Sequence, residues 1–173
     1  RNEIANVKAT GPTLDDPNDL PEENGSFSLV RRDRTLLNRR IVQIEIGTLV
    51  GYSALHIARA LPPDGHLWSI EHEPRHAALA RANLAAAGLG AKVSVLEGAG
   101  VDVLPTLERF GPFCAVFIDA DKETYDVYGR WAAKHVRTGG LLLGDNSFLF
   151  SSLLDDAPRA AVMRRFHEEA RLA

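Results

Sequence analysis

Short apolar runs alternate with longer segments of helical spacing along the chain from residue 41 onward. Five runs have the length of single strands, at 41–46, 67–70, 93–96, 113–118 and 141–143. Helical spacing marks four segments between them, near 52–61, 74–88, 101–110 and 122–137. Proline and glycine interrupt the pattern at 62–65, 88–90, 111–112 and 139–140. Strands that alternate with helices predict an α/β fold: a doubly wound, mostly parallel sheet with helices on both faces.

The first forty residues do not follow this pattern. Residues 11–26 contain three prolines, two glycines and five carboxylates but only two leucines, a composition that does not support a packed element. Residues 29–40 carry five arginines and form either a short helix on the domain or a solvated face beside the acidic stretch. We therefore predict a partly irregular N-terminal arm over 1–40 and one α/β domain over 41–173.

Composition and charge narrow the class of protein. The chain has 173 residues, of which 45% are hydrophobic and 25% charged, as is typical of a single globular domain. Its net charge of −3 argues against nucleic acid as a partner. No apolar run reaches the roughly 18 residues of a membrane span, so no membrane partner is expected. The single cysteine, Cys114, can form neither an internal disulfide nor a zinc cluster, which favours a cytoplasmic location.

A carboxylate stands at or just after the end of every predicted strand. In sheets of this kind, ligands bind outside the carboxyl ends of the strands. The five residues concerned are Glu45, Glu71, Glu97, Asp119 and Asp145. Any one of them is explained as a solvated loop charge, but five together favour a polar ligand site at this edge of the sheet.

The first two strand ends point to a nucleoside cofactor. Gly47 and Gly51 give the spacing GxxxG instead of the GxGxxG of dinucleotide enzymes, which disfavours a pyrophosphate loop and a nicotinamide dehydrogenase. Plain turn geometry explains the two glycines equally well. Glu71 lies 20 residues after Gly51, where a carboxylate accepts hydrogen bonds from a ribose diol, and Glu45 can meet a cationic amine. A ribose acceptor without a phosphate cradle fits S-adenosylmethionine (SAM).

The last two strand ends offer oxygen ligands and a lysine. Asp119, Asp145 and Asn146 suit Mg²⁺, or Mn²⁺, better than zinc, although an Asp-Asn pair after a strand is also a common turn or helix cap. Lys122 lies three residues after Asp119 at the start of a predicted helix. A nearby divalent cation would lower its pKa and allow it to act as a base, whereas in isolation it is most simply a surface lysine.

Four motifs in this order resemble a known family. They are EIGTLVGYSAL from Glu45, SIEHEP from Ser69, FIDADK from Phe117 and GDN from Gly144. Together, over residues 41 to about 155, they are similar to the cation-dependent O-methyltransferases of the catechol and caffeoyl-CoA type. The resemblance implies a Rossmann-like class I methyltransferase fold, SAM and a divalent cation as cofactors, a small phenolic or catechol acceptor, and a homodimer. It also implies that the C-terminal strands are missing, because only five strands are evident here.

The resemblance also assigns roles to single residues. Gly47, Tyr52 and Ser53 would flank the methionine part of the cofactor, Glu71 would hold the ribose, and the turn at Gly98 would approach the adenine. The complete cofactor-binding set is Glu45, Gly47, Thr48, Tyr52, Ser53, Glu71, His72, Gly98, Ala99 and Asp119. The metal ligands are Asp119, Asp145 and Asn146, and the catalytic residues are Lys122 and Asp119. After Gly98 many bacterial relatives have Asp-Ala where this chain has Ala-Gly, so the adenine contacts differ from the family pattern.

These residues predict metal-assisted methyl transfer from SAM to one hydroxyl of a vicinal dihydroxy aromatic molecule, with Lys122 as general base. The alternative is a catalytically inactive, methyltransferase-like subunit that binds the cofactor or a partner protein. In the resembling family, acceptor selectivity comes largely from the N-terminal segment and from the loop that here covers 147–154. In that loop, Phe148 and Phe150 either flank an aromatic ring or pack in the core.

Overall fold

The computed structural model describes residues 41–148, residue 156 and residues 158–170. The strands are β1 (Val42–Ile46), β2 (His66–Glu71), β3 (Val93–Glu97), β4 (Phe113–Ile118) and β5 (Val136–Gly144). The helices are α1 (Tyr52–Ala60), α2 (Pro74–Ala86), α3 (Gly100–Leu107), α4 (Tyr125–His135) and α5 (Pro158–Ala170), with a 3₁₀ turn at Glu108–Phe110. The predicted arm over 1–40 and most of the loop 147–154, with Phe150, lie outside these residues.

All five strands are parallel and lie in the order β3-β2-β1-β4-β5. The chain builds outward from β1 through β2 to β3, and then returns to the other side of β1 for β4 and β5. This reversal confirms the predicted doubly wound sheet and puts its switch point between β1 and β4. The described part of the chain therefore contains five strands, with β3 and β5 at the sheet edges.

Helices cover both faces of the sheet. On one face, α1 and α2 approach closely because small, fully buried residues such as Ala54, Ala58, Ala77 and Ala80 face the strands. On the other face, α3, α4 and α5 pack on larger apolar residues of the sheet, including Ile44, Phe113, Val116 and Ile118. No helix within the described ranges is long and apolar enough to cross a membrane.

The last strand differs from its prediction. The pattern predicted a helix to about 137 and a strand over 141–143, but α4 ends at His135 and β5 begins at Val136. Val136 pairs with Phe113 and Leu141 with Ala115, so β5 advances five residues while β4 advances two. This bulge contains the two glycines that the sequence presented as a break. Gly139 has a φ of +76°, and a Cβ on Gly140 would lie 2.8 Å from the Cys114 carbonyl oxygen.

Helix α5 is fixed to α4 by one charge contact and one aromatic contact. Arg165 Nε donates to the buried Asp126 carboxylate at 2.9 Å. Phe166 meets the Tyr125 ring edge-on, with 5.0 Å between ring centroids. A Cβ on Gly129 would lie 2.5 Å from the Phe166 ring, so the absence of a side chain there lets Phe166 reach Tyr125.

Candidate functional site

The loop after β1 is held against both neighbouring strand ends. Gly47 N donates to the Ile70 carbonyl oxygen at 2.9 Å, and Asp119 N donates to the Ile46 carbonyl oxygen at 2.8 Å. Gly47 has a φ of +100°, and a Cβ there would lie only 1.9 Å from the Asp119 carbonyl oxygen. A side chain at this position is therefore excluded on two grounds. Gly47 therefore allows the loop after β1 to contact the backbone of Asp119, the predicted metal ligand after β4.

Glu45 lies fully buried at the centre of this edge. Ser69 Oγ donates to Glu45 Oε2 at 2.5 Å, and the Thr48 and Ser69 hydroxyl oxygens are also 2.5 Å apart. Because the Ser69 proton goes to the carboxylate, Thr48 is the donor to Ser69. The second oxygen, Glu45 Oε1, is buried and has no hydrogen-bond partner among the described residues. A buried acceptor in this position suits a cationic donor from a ligand.

Burial raises the pKa of the Glu45 carboxyl from 4.5 to about 7. The nearby Ser53 and Ser69 hydroxyls, which favour the charged form, oppose this shift. The charges of Asp119 and Glu71 add to it. A cation beside Glu45 would therefore meet a carboxyl group that exchanges its proton near neutral pH.

Glu71 at the end of β2 is held in one orientation. Leu49 N donates to its Oε2 at 2.7 Å, and Glu73 N donates to its Oε1 at 2.9 Å. His76 Nδ1 lies 3.7 Å from Oε1, and Glu71 is only 8% exposed. A carboxylate has roughly four acceptor positions, so each oxygen keeps capacity for a ligand hydroxyl. This arrangement fits the predicted ribose contact.

The remaining predicted cofactor residues surround these two carboxylates. Gly98 N donates to the Glu71 carbonyl oxygen at 2.9 Å, which places the turn with Ala99 next to the end of β2. Tyr52 is 74% exposed and its ring meets His56 edge-on. His72 is exposed directly after Glu71. The structure thus brings the inner residues together and leaves the two predicted ring side chains at the rim.

Two carboxylates and an amide meet at the ends of β4 and β5. The Asp119 and Asp145 carboxyl groups are close enough to hydrogen-bond, and Asn146 Nδ2 donates to Asp145 Oδ2 at 2.5 Å. Partial burial raises the pKa of Asp119, and the charge of Asp145 adds to that rise, while Lys122 opposes it. A cation would relieve this repulsion.

The donor set fits a hard divalent cation on chemical grounds. The described residues contain no group of three or more His, Cys, Asp or Glu that could hold a metal ion. A metal centre here would therefore consist of the two carboxylates of Asp119 and Asp145 and the amide oxygen of Asn146, with the amide turned from its present hydrogen bond.

Lys122 lies beside the two carboxylates of this group, Asp119 and Asp145. Its Nζ donates to the Asp145 carbonyl oxygen at 2.9 Å and lies 4.3 Å from the centre of the Tyr125 ring. Burial lowers the pKa of Lys122, while Asp119, Asp145 and Asp121 act in the opposite direction. The pKa of Lys122 is therefore lowered, as predicted, but the cause is burial and not the charge of a cation.

Two residues of this site have no role assigned from the sequence motifs, although Ser69 stands first in one of them. The buried Tyr125 hydroxyl lies 2.7 Å from the Ile118 carbonyl oxygen and 2.9 Å from that of Asp145, so it joins the ends of β4 and β5. Ser69 is a polar residue within an apolar run, and the β1–β2 register places it opposite Glu45. Only that register could have identified Ser69 in advance.

The loop after Asn146 presents an aromatic side chain to the outside. Phe148 is exposed and its ring lies 4.8 Å from the His167 ring of α5. His167 Nε2 is also 2.9 Å from the Ser147 carbonyl oxygen. Phe148 is therefore not packed in the core among the described residues, and a contact with an acceptor ring stays a prediction.

Two curated relatives are named catechol O-methyltransferase. The one from Niastella koreensis is 43% identical over 129 residues, which cover 72% of this chain and 58% of the relative. The one from Mycobacterium tuberculosis is 43% identical over 124 residues, which cover 70% of this chain and 56% of the relative. The chain thus spans somewhat more than half the length of these relatives.

A solved structure shares the fold as well as the sequence similarity. The O-methyltransferase from Bacillus cereus, crystallised in complex with SAH, matches with a TM-score of 0.73 and 36% identity. The match covers 76% of this chain and 62% of that chain. It confirms the predicted Rossmann-like methyltransferase fold.

The match to a family model is longer than the resemblance read from the motifs. The model described as O-methyltransferase matches residues 22–172, whereas the motifs covered 41 to about 155. It crosses the predicted boundary between arm and domain, so the division at residue 40 stays a prediction. The matched length, together with the relatives at 43% identity, confirms the predicted resemblance: the chain belongs to the O-methyltransferase family.

Proposed function

We propose that the protein transfers the methyl group of SAM to one hydroxyl of a catechol-like small molecule, with a divalent cation and with Lys122 as general base. One C–S bond is exchanged for one C–O bond, and the hydroxyl proton is released. The observation that carries the proposal is the convergence of Lys122, Asp119 and Asp145 beside the buried carboxylates Glu45 and Glu71. Family membership and the names of the two relatives support it.

The buried carboxylates would hold the cofactor. Glu45 Oε1 would accept from the methionine ammonium group, and Glu71 would accept from the ribose hydroxyls. Tyr52 and Ser53 at the start of α1 would flank the methionine part, while Gly98 and its neighbours would face the adenine. When bound, SAM supplies an electrophilic methyl group on a sulfonium.

The other half of the site would hold a cation and the acceptor. Asp119, Asp145 and Asn146 are the residues that would bind Mg²⁺, with Mn²⁺ as a possible replacement. A divalent cation there supplies positive charge that lowers the pKa of the hydroxyls it binds. Lys122 Nζ, whose pKa is lowered by partial burial, takes up the proton of the reacting hydroxyl.

Methylation of catechol, followed by product mass, tests this function. Activity should require Mg²⁺, vanish with a chelator and fail on phenol, which has only one hydroxyl. Lys122→Met should lower kcat by about 10²–10⁴-fold, the range for loss of a general base. Lys134→Met, an exposed lysine in the last turn of α4, is the matched control.

Three results would contradict the proposal in different ways. Full activity after both chelation and Asp119→Ala would remove the metal from the mechanism. An unchanged kcat in Lys122→Met would remove the base. SAM binding by calorimetry, without turnover of any catechol in a panel, would instead favour the inactive cofactor-binding subunit. The expected homodimer and cytoplasmic location stay predictions, and light scattering during gel filtration tests the first.

A further inference from the structure

A cavity of about 390 Å³ lies at the amino ends of the strands, whereas the candidate active site lies at their carboxyl ends. It is lined by residues at or near the amino ends of four strands and by the turn before β4, namely Val42, His66, Trp68, Phe110, Gly111, Pro112, Cys114 and Arg137. Phe110 and Pro112 are exposed, so the cavity is open to solvent on that side. Its volume lies within the range of small-molecule sites.

One wall of this cavity is aromatic. The Trp68 and Phe110 rings stack with 4.7 Å between their centroids, and the His66 ring meets Trp68 edge-on at the same distance. His66 is fixed in place by Ser94, whose hydroxyl oxygen lies 3.0 Å from Nε2. These contacts fix the three rings relative to one another and give the cavity a rigid aromatic wall.

The charge of the cavity is positive. Arg137 enters it from the start of β5, and its Nε atom is buried with no hydrogen-bond partner in the described ranges. The Arg109 guanidinium lies 4.7 Å from the centre of the Phe110 ring, beside the same wall. No carboxylate is among the described lining residues. A buried guanidinium donor without an acceptor is costly, and a planar carboxylate offers the acceptor geometry that matches it.

We propose that this cavity is a second binding site, separate from the methyl-transfer site, and that its ligand is a small aromatic carboxylate. The ring of the ligand lies on the Trp68–Phe110 wall, and its carboxylate accepts from Arg137. The inference does not depend on the proposed function, because the cavity shares no residue with the candidate active site.

The chain contains two reporters for this site. Trp68 and Trp131 are its only tryptophans, so Trp131→Phe leaves the cavity residue as the single fluorophore. Cys114 is its only cysteine, so thiol modification followed by intact mass reports on the cavity alone. Phenylacetate is the probe, and phenylacetamide is the neutral control of the same shape.

Phenylacetate should change Trp68 fluorescence in a saturable manner and slow the modification of Cys114. Phenylacetamide should bind at least about tenfold more weakly, because it loses the charge-assisted contact to Arg137. Arg137→Gln should cause a loss of similar size, whereas Arg75→Gln, an exposed arginine on α2, should not. Excess SAH should leave phenylacetate binding unchanged, because the two sites lie at opposite ends of the strands.

The proposal is overturned if phenylacetate shows no saturable effect at millimolar concentration, or if the acid and the amide bind equally well. It is also overturned if Arg137→Gln, with an unchanged thermal unfolding curve, binds as the parent does. Should that variant fail to fold, the comparison of acid with amide on the parent protein decides the question alone. Displacement of the probe by SAH would place it in the cofactor site and refute a separate site.

Discussion

Replacing Glu45 by glutamine should stabilise the protein above neutral pH and have little effect in acid. The Glu45 carboxyl has a pKa of about 7 in the folded state, against 4.5 in the unfolded chain. Between these values the folded state binds more protons than the unfolded state, so stability falls as the pH rises. Glutamine is neutral throughout and keeps an acceptor for the Ser69 hydroxyl.

The size of the effect follows from the two pKa values. One pKa unit corresponds to about 1.4 kcal/mol, so ionisation of Glu45 costs the folded state about 3 kcal/mol once the pH exceeds 7. This figure is an upper value, because water entering the unliganded site would reduce it. In the variant this cost is absent. The difference in the free energy of unfolding should therefore be close to zero below about pH 4, grow through the range between the two pKa values and be largest at about pH 8.

Urea denaturation of both proteins across this pH range measures that difference. Glu97→Gln is the matched control, because Glu97 also ends a strand at this edge but is exposed. If the difference between Glu45→Gln and the parent protein stays constant from mild acid to mild alkali, the carboxyl does not carry a raised pKa. The reasoning from burial would then be wrong.

Three further outcomes follow from the same geometry. Binding of SAM near pH 6 should release a proton from Glu45, because the ammonium group of SAM stabilises the carboxylate. The calorimetric heat of binding should therefore depend on the ionisation enthalpy of the buffer. Glu45→Gln should lose that dependence. Tyr125→Phe removes one hydroxyl donor from the Ile118 and Asp145 carbonyl oxygens, each of which keeps a second donor, and should cost about 0.5–1.5 kcal/mol of stability and weaken Mn²⁺ binding. Tyr128→Phe should leave Mn²⁺ binding unchanged. Gly47→Ala should lower the unfolding temperature much more than Gly88→Ala, because Gly88 also has a positive φ but open space around it. Equal losses of unfolding temperature would show that the contact with the Asp119 backbone is unimportant.

The fold was predictable because its determinants are local. Within the described residues, five apolar runs and the helical spacing between them placed β1 to β4, part of β5 and the first four helices, since buried parallel strands need continuous apolar residues. The error at β5 has a specific cause. A Gly-Gly pair usually interrupts a strand, but here β5 continues through Gly139 and Gly140 as a bulge opposite β4. The pairing with β4 is a tertiary contact, which the local sequence does not show.

The site was predictable to the extent that topology determines it. Carboxylates at the ends of parallel strands must share one edge, so Glu45, Glu71 and Asp119 were found together. Ser69 was missed because its role depends on the exact register of two strands. Tyr125 was missed because nothing in a sequence shows that a hydroxyl will reach two carbonyl oxygens on different strands.

The aromatic contact between α4 and α5 makes the site depend on a distant helix. Phe166 covers the Tyr125 ring, whose hydroxyl joins the two strand ends next to Lys122. Local unfolding of α5 would expose that ring to water and weaken the link that its hydroxyl makes between the two strand ends, while the sheet itself stays intact. Under the proposed function, the opening equilibrium of α5 would then set the fraction of active molecules, ahead of the global stability of the sheet. Amide hydrogen exchange in α5 should therefore change in parallel with activity when Arg165 is mutated.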